Sequence, residues 1–138
     1  MSGSILLVDD DPDALIVLKT ILDGEGYTVY TATNLDDAIA MVEKHEVDLA
    51  IIDFIIPGCQ GDLMAKILKL IDDNLQIIFL SGHESVYEAV NNLNFNVLEV
   101  FMKPENIDEL LSTIRSIYAE EYDPYQRIVP SGNIVLYK

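Results

Sequence analysis

Four short apolar runs in this sequence stop on a side chain able to do polar chemistry. Ser4–Val8 runs into Asp9 and Asp10, Val47–Ile52 into Asp53, Gln76–Leu80 into Ser81, and Val97–Met102 into Lys103. Together these positions supply three carboxylates, one hydroxyl and one amine. Carboxylate oxygens alone form a donor set for a hard cation such as Mg²⁺, which keeps several of its waters. The same carboxylates resist assembly, because two unit charges about 4 Å apart repel by about 4 kcal/mol at an effective dielectric of about 20. A cation and the Lys103 ammonium are the available compensation. Taken singly, each residue also has a structural use. Asp10 or Asp11 can cap a helix, Asp53 can serve a turn before Pro57 and Gly58, Ser81-Gly82 can cap, and Lys103 can be a surface lysine. The repetition of polar residues at successive run ends is what points to a site.

The runs must be strands for this to matter, and the intervening pattern supports that. Asp11 and Pro12 suit a helix start, and Ala14, Leu15, Leu18, Ile21 and Leu22 make one helical stripe that Gly24 and Gly26 end. Tyr27–Ala32 is β-branched and aromatic, as in a strand. Asn34 caps a helix bearing Leu35, Ala38, Ile39 and Val42. Val47–Asp53 is nearly all apolar, as in a central parallel strand buried on both faces. Phe54–Gly61 reads as a loop, followed by a helix with Met64, Ile67, Leu68 and Ile71. A thinner helix spans about Glu84–Leu93, and Asn106 caps the most regular one, with Ile107, Leu110, Leu111, Ile114, Ile117 and Tyr118 on one side. The alternation is (βα)₅, an α/β chain with right-handed crossovers and a parallel sheet covered on both faces. In such sheets ligands bind at the carboxyl ends of the strands, where the polar residues stand.

Composition limits the alternatives. The chain has 138 residues, half of them apolar, enough for one core. Eight basic residues face 24 acidic ones, a net charge of −16, which repels nucleic acids and anionic membranes. No run approaches the ~18–20 apolar residues of a membrane span. The N-terminus lacks a basic, apolar export signal, and the single cysteine, Cys59, excludes an internal disulfide framework; the expected compartment is the cytoplasm. No His/Cys/Asp spacing suggests zinc.

In their order and spacing, Leu6-Leu7-Val8-Asp9-Asp10-Asp11, Asp53-Phe54-Ile55-Ile56-Pro57-Gly58-Cys59-Gln60-Gly61, Ser81-Gly82 and Lys103-Pro104 resemble the receiver domain of two-component response regulators, the family of the bacterial chemotaxis response regulator. The resemblance covers residues 4–121. It implies a doubly wound, flavodoxin-like three-layer sandwich with sheet order 2-1-3-4-5. It implies that Asp53 is the phospho-acceptor, attacking a phosphohistidine or a small phosphodonor. Asp9, Asp10 and Asp53, with the backbone carbonyl of Ile55, then hold Mg²⁺. Ser81 is the hydroxyl that swings to the phosphoryl group, and Lys103 pairs with a phosphoryl oxygen. The implied partners are a sensor histidine kinase or phosphotransfer protein upstream, and a protein effector or a missing output domain downstream. Such a chain catalyses its own phosphorylation and slow dephosphorylation as a switch, not as a metabolic enzyme. An aspartate is a weak nucleophile, so alignment and charge neutralisation must carry the reaction. The product gains roughly −1.5 to −2 charge, which recruits new partners and biases a mobile loop.

The match has departures. Three residues before the lysine the family usually has Tyr or Phe that rotates with the Ser/Thr; here it is Val100, with Phe101 expected on the opposite face. Asn96-Val97 replaces a usual Gly-Ala, and Ile56 replaces Met. Ile55 and His83, each two residues past a site residue, border the expected pocket, and a branched Ile55 shields an acyl phosphate from water. Two rival readings follow: a pseudo-receiver that binds partners without phosphorylation, and a Mg²⁺-dependent aspartyl-phosphate phosphatase, whose Asp-x-Asp is absent here because Phe54-Ile55 follows Asp53. Residues 1–121 are expected to form the receiver and 122–138 a tail. That tail, with Tyr122, Tyr125, Ile128, Val129, Ile134, Val135, Leu136 and Tyr137, reads either as a hairpin contributing to a homodimer or as a linker remnant.

Overall fold

The computed structural model describes residues 3–103 and 106–119, together with the backbone of residues 126–128 and 134–136. In chain order the elements are β1 (Ser4–Val8), α1 (Pro12–Gly24), β2 (Thr28–Ala32), α2 (Leu35–Lys44), β3 (Leu49–Asp53), α3 (Gly61–Ile71), β4 (Gln76–Ser81), α4 (Ser85–Asn91), β5 (Glu99–Met102), α5 (Ile107–Ala119), β6 (Gln126–Ile128) and β7 (Ile134–Leu136). Residues 2–104 form one compact unit, which holds all five parallel strands, and the chain from residue 105 onward belongs to a second.

The parallel sheet has the order β2-β1-β3-β4-β5, the doubly wound, flavodoxin-like order. The chain steps outward from β1 to β2, then returns past β1 to β3, and the crevice at that reversal is where α/β sheets bind ligands. The register aligns the strand ends. Val8 lies opposite both Ala32 and Ile52, Asp53 opposite Leu80, and Ser81 opposite Met102. Alternation along each strand sends side chains to two buried faces. Leu6, Ala50, Ile52, Ile77 and Phe79 pack with Ala38 and Val42 of α2, Met64 and Leu68 of α3, and Val86 of α4. Ile5, Leu7, Ile51 and Ile78 are equally buried on the opposite face, where α1 buries Leu15, Leu18 and Leu22. Residues buried on both sides explain why the central strands read as unbroken apolar runs.

Helix starts follow the anticipated chemistry. The Asp11 side chain accepts from the Asp13 N–H, with Pro12 opening α1, and Asn34 Oδ1 accepts from the Asp37 N–H at 2.9 Å. The strands β2, β3 and β5 begin one or two residues later than the apolar runs do. Before β3 the Asp48 carboxylate accepts the Ser4 N–H at 2.9 Å, so this residue anchors the start of β1 instead of extending β3. α4 spans only seven residues and fully buries only Val86, in keeping with its thin apolar face. Among the described residues no helix is long and apolar enough to cross a membrane.

In the second unit, Asn106 Oδ1 accepts the Glu109 N–H at 3.2 Å at the start of α5, whose stripe is Leu110, Leu111, Ile114 and Tyr118. Gln126–Ile128 pairs antiparallel with Ile134–Leu136. The remaining tail residues, including Tyr122, Tyr125, Val129 and Tyr137, lie outside the described residues.

The loop after Asp53 closes on a tight contact. The Gly61 N–H donates to the Phe54 carbonyl at 2.7 Å, and a Cβ at residue 61 would stand 2.8 Å from Phe54 Cα and 3.2 Å from its ring. Phe54 is fully buried and meets Phe79 edge-on, so it has no room to retreat. Gly61→Ala is therefore expected to cost about 1–3 kcal/mol, the usual penalty of overpacking. Urea denaturation measures this, and a midpoint equal to wild type would show that the contact relaxes freely.

Candidate functional site

Three side chains leave the sheet from backbone that is itself tied down. The Asp9 N–H donates to the Ala32 carbonyl at 3.2 Å, the Phe54 N–H to Leu80 at 2.8 Å and the Lys103 N–H to Ser81 at 2.7 Å. These bonds carry the parallel ladders past the strand ends and fix Asp9, Asp53 and Lys103 in adjoining positions. One carboxylate oxygen from each of Asp9, Asp10 and Asp53 lies within 4.8 Å of the others, with Asp9 and Asp53 buried and Asp10 exposed. Lys103 Nζ reaches Asp53 Oδ2 at 3.1 Å and Asp9 Oδ2 at 3.5 Å. The other oxygens are held locally: Asp53 Oδ1 accepts the Ile55 N–H at 3.3 Å, and Asp9 Oδ1 accepts the Asp11 N–H at 3.0 Å.

The electrostatics follow from burial against pairing. Burial pushes the Asp53 carboxyl above its ordinary value; the Lys103 hydrogen bond and charge pull it down, the Asp9 charge adds to the rise, and the net is upward. For Lys103, burial pulls downward, but the hydrogen bond and charge of Asp53, then those of Asp9, outweigh it and hold the ammonium above its ordinary value. Among the described residues the arrangement is a cluster of oxygen donors beside the Lys103 ammonium, with neither nitrogen nor sulfur ligands in it. That donor set fits Mg²⁺.

Ser81 stands apart from this network. It is fully buried, its Oγ donates to the His83 carbonyl at 2.9 Å, and it accepts the His83 N–H at 3.0 Å. The hydroxyl is thus engaged by the backbone of the following turn. His83 was notable in the sequence for its position, yet its exposed ring is not what meets Ser81; its main chain is. The role of the Asp11 N–H in orienting Asp9 was likewise hidden, since no residue pattern announces a main-chain donor. Ile55 is 43 % exposed beside Asp53. Val100 lies opposite Phe79 and packs on the α2–α4 side of the sheet, whereas Phe101 follows Val100 in register, opposite Leu80. Cys59 is buried in the loop, with its thiol pushed up by burial and then by the Asp62 charge, which makes it a poor nucleophile.

The fold and this site define a receiver. Residues 5–115 match the response regulator receiver domain family, and the chain belongs to that family. It is 31 % identical over 115 residues to the sporulation initiation phosphotransferase F of Bacillus subtilis, covering 83 % of this chain and 93 % of that protein. It is 25 % identical over 132 residues to the cell cycle response regulator CtrA of Brucella ovis, covering 96 % of this chain but only 57 % of that longer protein. Among solved structures, a CheY-like response regulator receiver domain protein from Methanospirillum hungatei superposes with a TM-score of 0.79 at 30 % identity, covering 88 % of this chain and 97 % of that one.

Because the Asp53 carboxyl sits above its ordinary value in the folded chain, the folded state takes up its proton more readily than the unfolded state. The contribution of Asp53 to stability therefore falls as the pH rises from the ordinary value of 3.8 through the raised one. Asp53→Asn removes that ionisation. The variant is expected to melt higher than wild type at neutral pH, by roughly 3–4 °C for each kcal/mol gained at this chain length. The difference should shrink as the pH falls below 3.8. Scanning calorimetry across pH checks it, and a variant that melts lower at neutral pH would reverse the sign.

Proposed function

We propose that this chain is a phosphorylatable receiver switch: Asp53 accepts a phosphoryl group from a phosphohistidine on a sensor kinase or phosphotransfer protein, and the modified domain changes its protein partner. The observation that carries the reading is the Lys103 ammonium fixed 3.1 Å from Asp53 in a three-carboxylate cluster. In this reading residues 1–121 are the receiver, residues 122–138 are a tail, and the chain works in the cytoplasm.

A carboxylate oxygen of Asp53 attacks phosphorus as the P–N bond to the donor imidazole breaks, and the electron pair leaves with the imidazole, which takes up a proton. An acyl phosphate forms on Asp53. Lys103, released from direct pairing with the Asp53 oxygen, stays in place to pair with a phosphoryl oxygen. Asp9 and Asp10, together with Asp53 and the backbone carbonyl of Ile55, are the residues that would hold Mg²⁺, which when bound neutralises charge on the phosphoryl oxygens. Ser81 reaches the new acceptors only by giving up its bonds to His83, so phosphorylation pulls on the turn that leads into α4. Ile55, beside the carboxylate and half open to solvent, stands where hydrolytic water must approach.

Incubation with acetyl phosphate and Mg²⁺ is expected to raise the intact mass by one phosphate, and Asp53→Asn to abolish the rise. A rise that persists in Asp53→Asn would sink the assignment. If wild type neither gains mass nor binds beryllofluoride with Mg²⁺, the pseudo-receiver reading replaces this one.

Ile55→Asn is expected to speed loss of the phosphoryl group by up to about tenfold, equivalent to about 1.4 kcal/mol off the barrier. Phosphate release from the isolated phosphoprotein measures this. An unchanged or slower rate in the variant would refute shielding by Ile55.

A further inference from the structure

A second concave feature lies at the other end of the sheet. α3 runs back from the carboxyl edge, so its last turns stand near the amino end of β4, and residues 92–95 stand before β5. Between them is an open groove of about 510 Å³, lined by Lys66, Lys69, Leu70 and Asp73 from the end of α3 and by Asn92, Asn94 and Phe95 from the segment after α4. Its floor is built. Lys69 Nζ donates to the Asp73 carbonyl at 2.6 Å and the Leu75 carbonyl at 3.0 Å, and it lies 5.4 Å from the centre of the Phe95 ring. One lysine thus ties the α3–β4 turn to the α4–β5 segment by two hydrogen bonds and a cation–π contact.

Two features of the lining have no structural use. Leu70 is 87 % exposed and stands beside the half-buried Phe95, an apolar wall facing solvent. Lys66 is exposed and makes no hydrogen bond or ion pair among the described residues, whereas Lys19 is paired with Asp23 and Lys103 with Asp53 and Asp9. Among the described residues that line it, two lysines stand against one aspartate, a local charge of +1 on a chain of −16. At physiological salt, charges are screened beyond about 8 Å, so an approaching group senses this local sign more than the distant acidic surface. The amide groups of Asn92 and Asn94 add neutral donors.

We propose that this groove is a docking site for an acidic peptide segment of a partner protein, one in which a carboxylate neighbours an aromatic or large aliphatic side chain. The carboxylate pairs with Lys66 and the apolar side chain covers Leu70 and Phe95. A phosphate polymer fits less well, because one unpaired lysine offers too little positive charge to overcome the net charge of the chain. The site is separate from the carboxylate cluster, being at the opposite edge of the sheet, and does not depend on phosphorylation.

The test begins with a random peptide library displayed on phage and selected against the full chain. A selected peptide is then titrated into the isotopically labelled chain to map amide shifts. Enriched peptides are expected to be net acidic with an aromatic or leucine next to a carboxylate, and shifts are expected to cluster at residues 66–73 and 92–95. Lys66→Glu combined with Leu70→Ser, both at exposed positions, should weaken binding by at least about tenfold. Asp53→Asn should bind as wild type does, which keeps this site independent of the acceptor reading. Enrichment of neutral or basic peptides, shifts centred elsewhere, no enrichment at all, or binding lost in Asp53→Asn would each overturn the proposal. The shift map on the wild-type chain decides the matter even if the double variant proves unstable.

Discussion

The pairing of one lysine with two carboxylates is the constraint on which the rest of this structure turns. Asp9 and Asp53 are both buried, and their charges would drive them apart or protonate them without Lys103 between them. Holding Lys103 there requires β5 to lie beside β4 and β4 beside β3, with β1 on the far side of β3. The main-chain bonds from Phe54 to Leu80 and from Lys103 to Ser81 set this spacing, because they extend the ladders to the residues that carry the charges. Hydrophobic burial along the central strands supplies the stability that such a charged edge consumes.

The loop after Asp53 is anchored to the core by three of its side chains. Phe54, Ile56 and Cys59 are buried, Gly58 takes a positive φ of 88°, and Gly61 leaves no gap above Phe54. Cys59 belongs to the packing of this loop. The Ser81 side differs, since its hydroxyl is held only by the main chain of the next turn, and α4 behind it is short, with one fully buried side chain. The loop after Asp53 is thus packed against the core, whereas the turn after Ser81 is lightly anchored.

The aromatic rings on this face are fixed by packing as well. Val100 leaves β5 without a ring at the position opposite Phe79, and Phe79 itself is fully buried against Phe54. The rings at this end of the α2–α4 face are core, locked edge to face. At the β5 position opposite Phe79 the packing is therefore aliphatic, through Val100.

The alternation of apolar runs and helical stripes was legible in the residues because burial on two faces leaves an unbroken run at β3 and a 3.6-residue period in each helix. Asp11, Asn34 and Asn106 could be read as caps because capping is a local interaction between a side chain and the next few N–H groups. The five polar residues at the strand ends could be recognised by type and order for the same reason: parallel strands all deliver their ends to one edge. What the residues could not convey were relations set by distant backbone. Asp48 leaves β3 to hold Ser4, forty-four positions away. Ser81 is occupied by the main chain of His83, and Asp9 is oriented by the N–H of Asp11, donors that every residue possesses and no sequence pattern marks. The groove beside Leu70 and Phe95 arises only where α3 and the segment after α4 come together. The sequence by itself therefore determined which elements form and which chemistry gathers at the sheet edge, since both follow from local period and side-chain type. The tertiary structure decided which oxygen faces Lys103, which hydroxyl is held back and which surface stays open, because those depend on main-chain positions that long-range packing alone establishes.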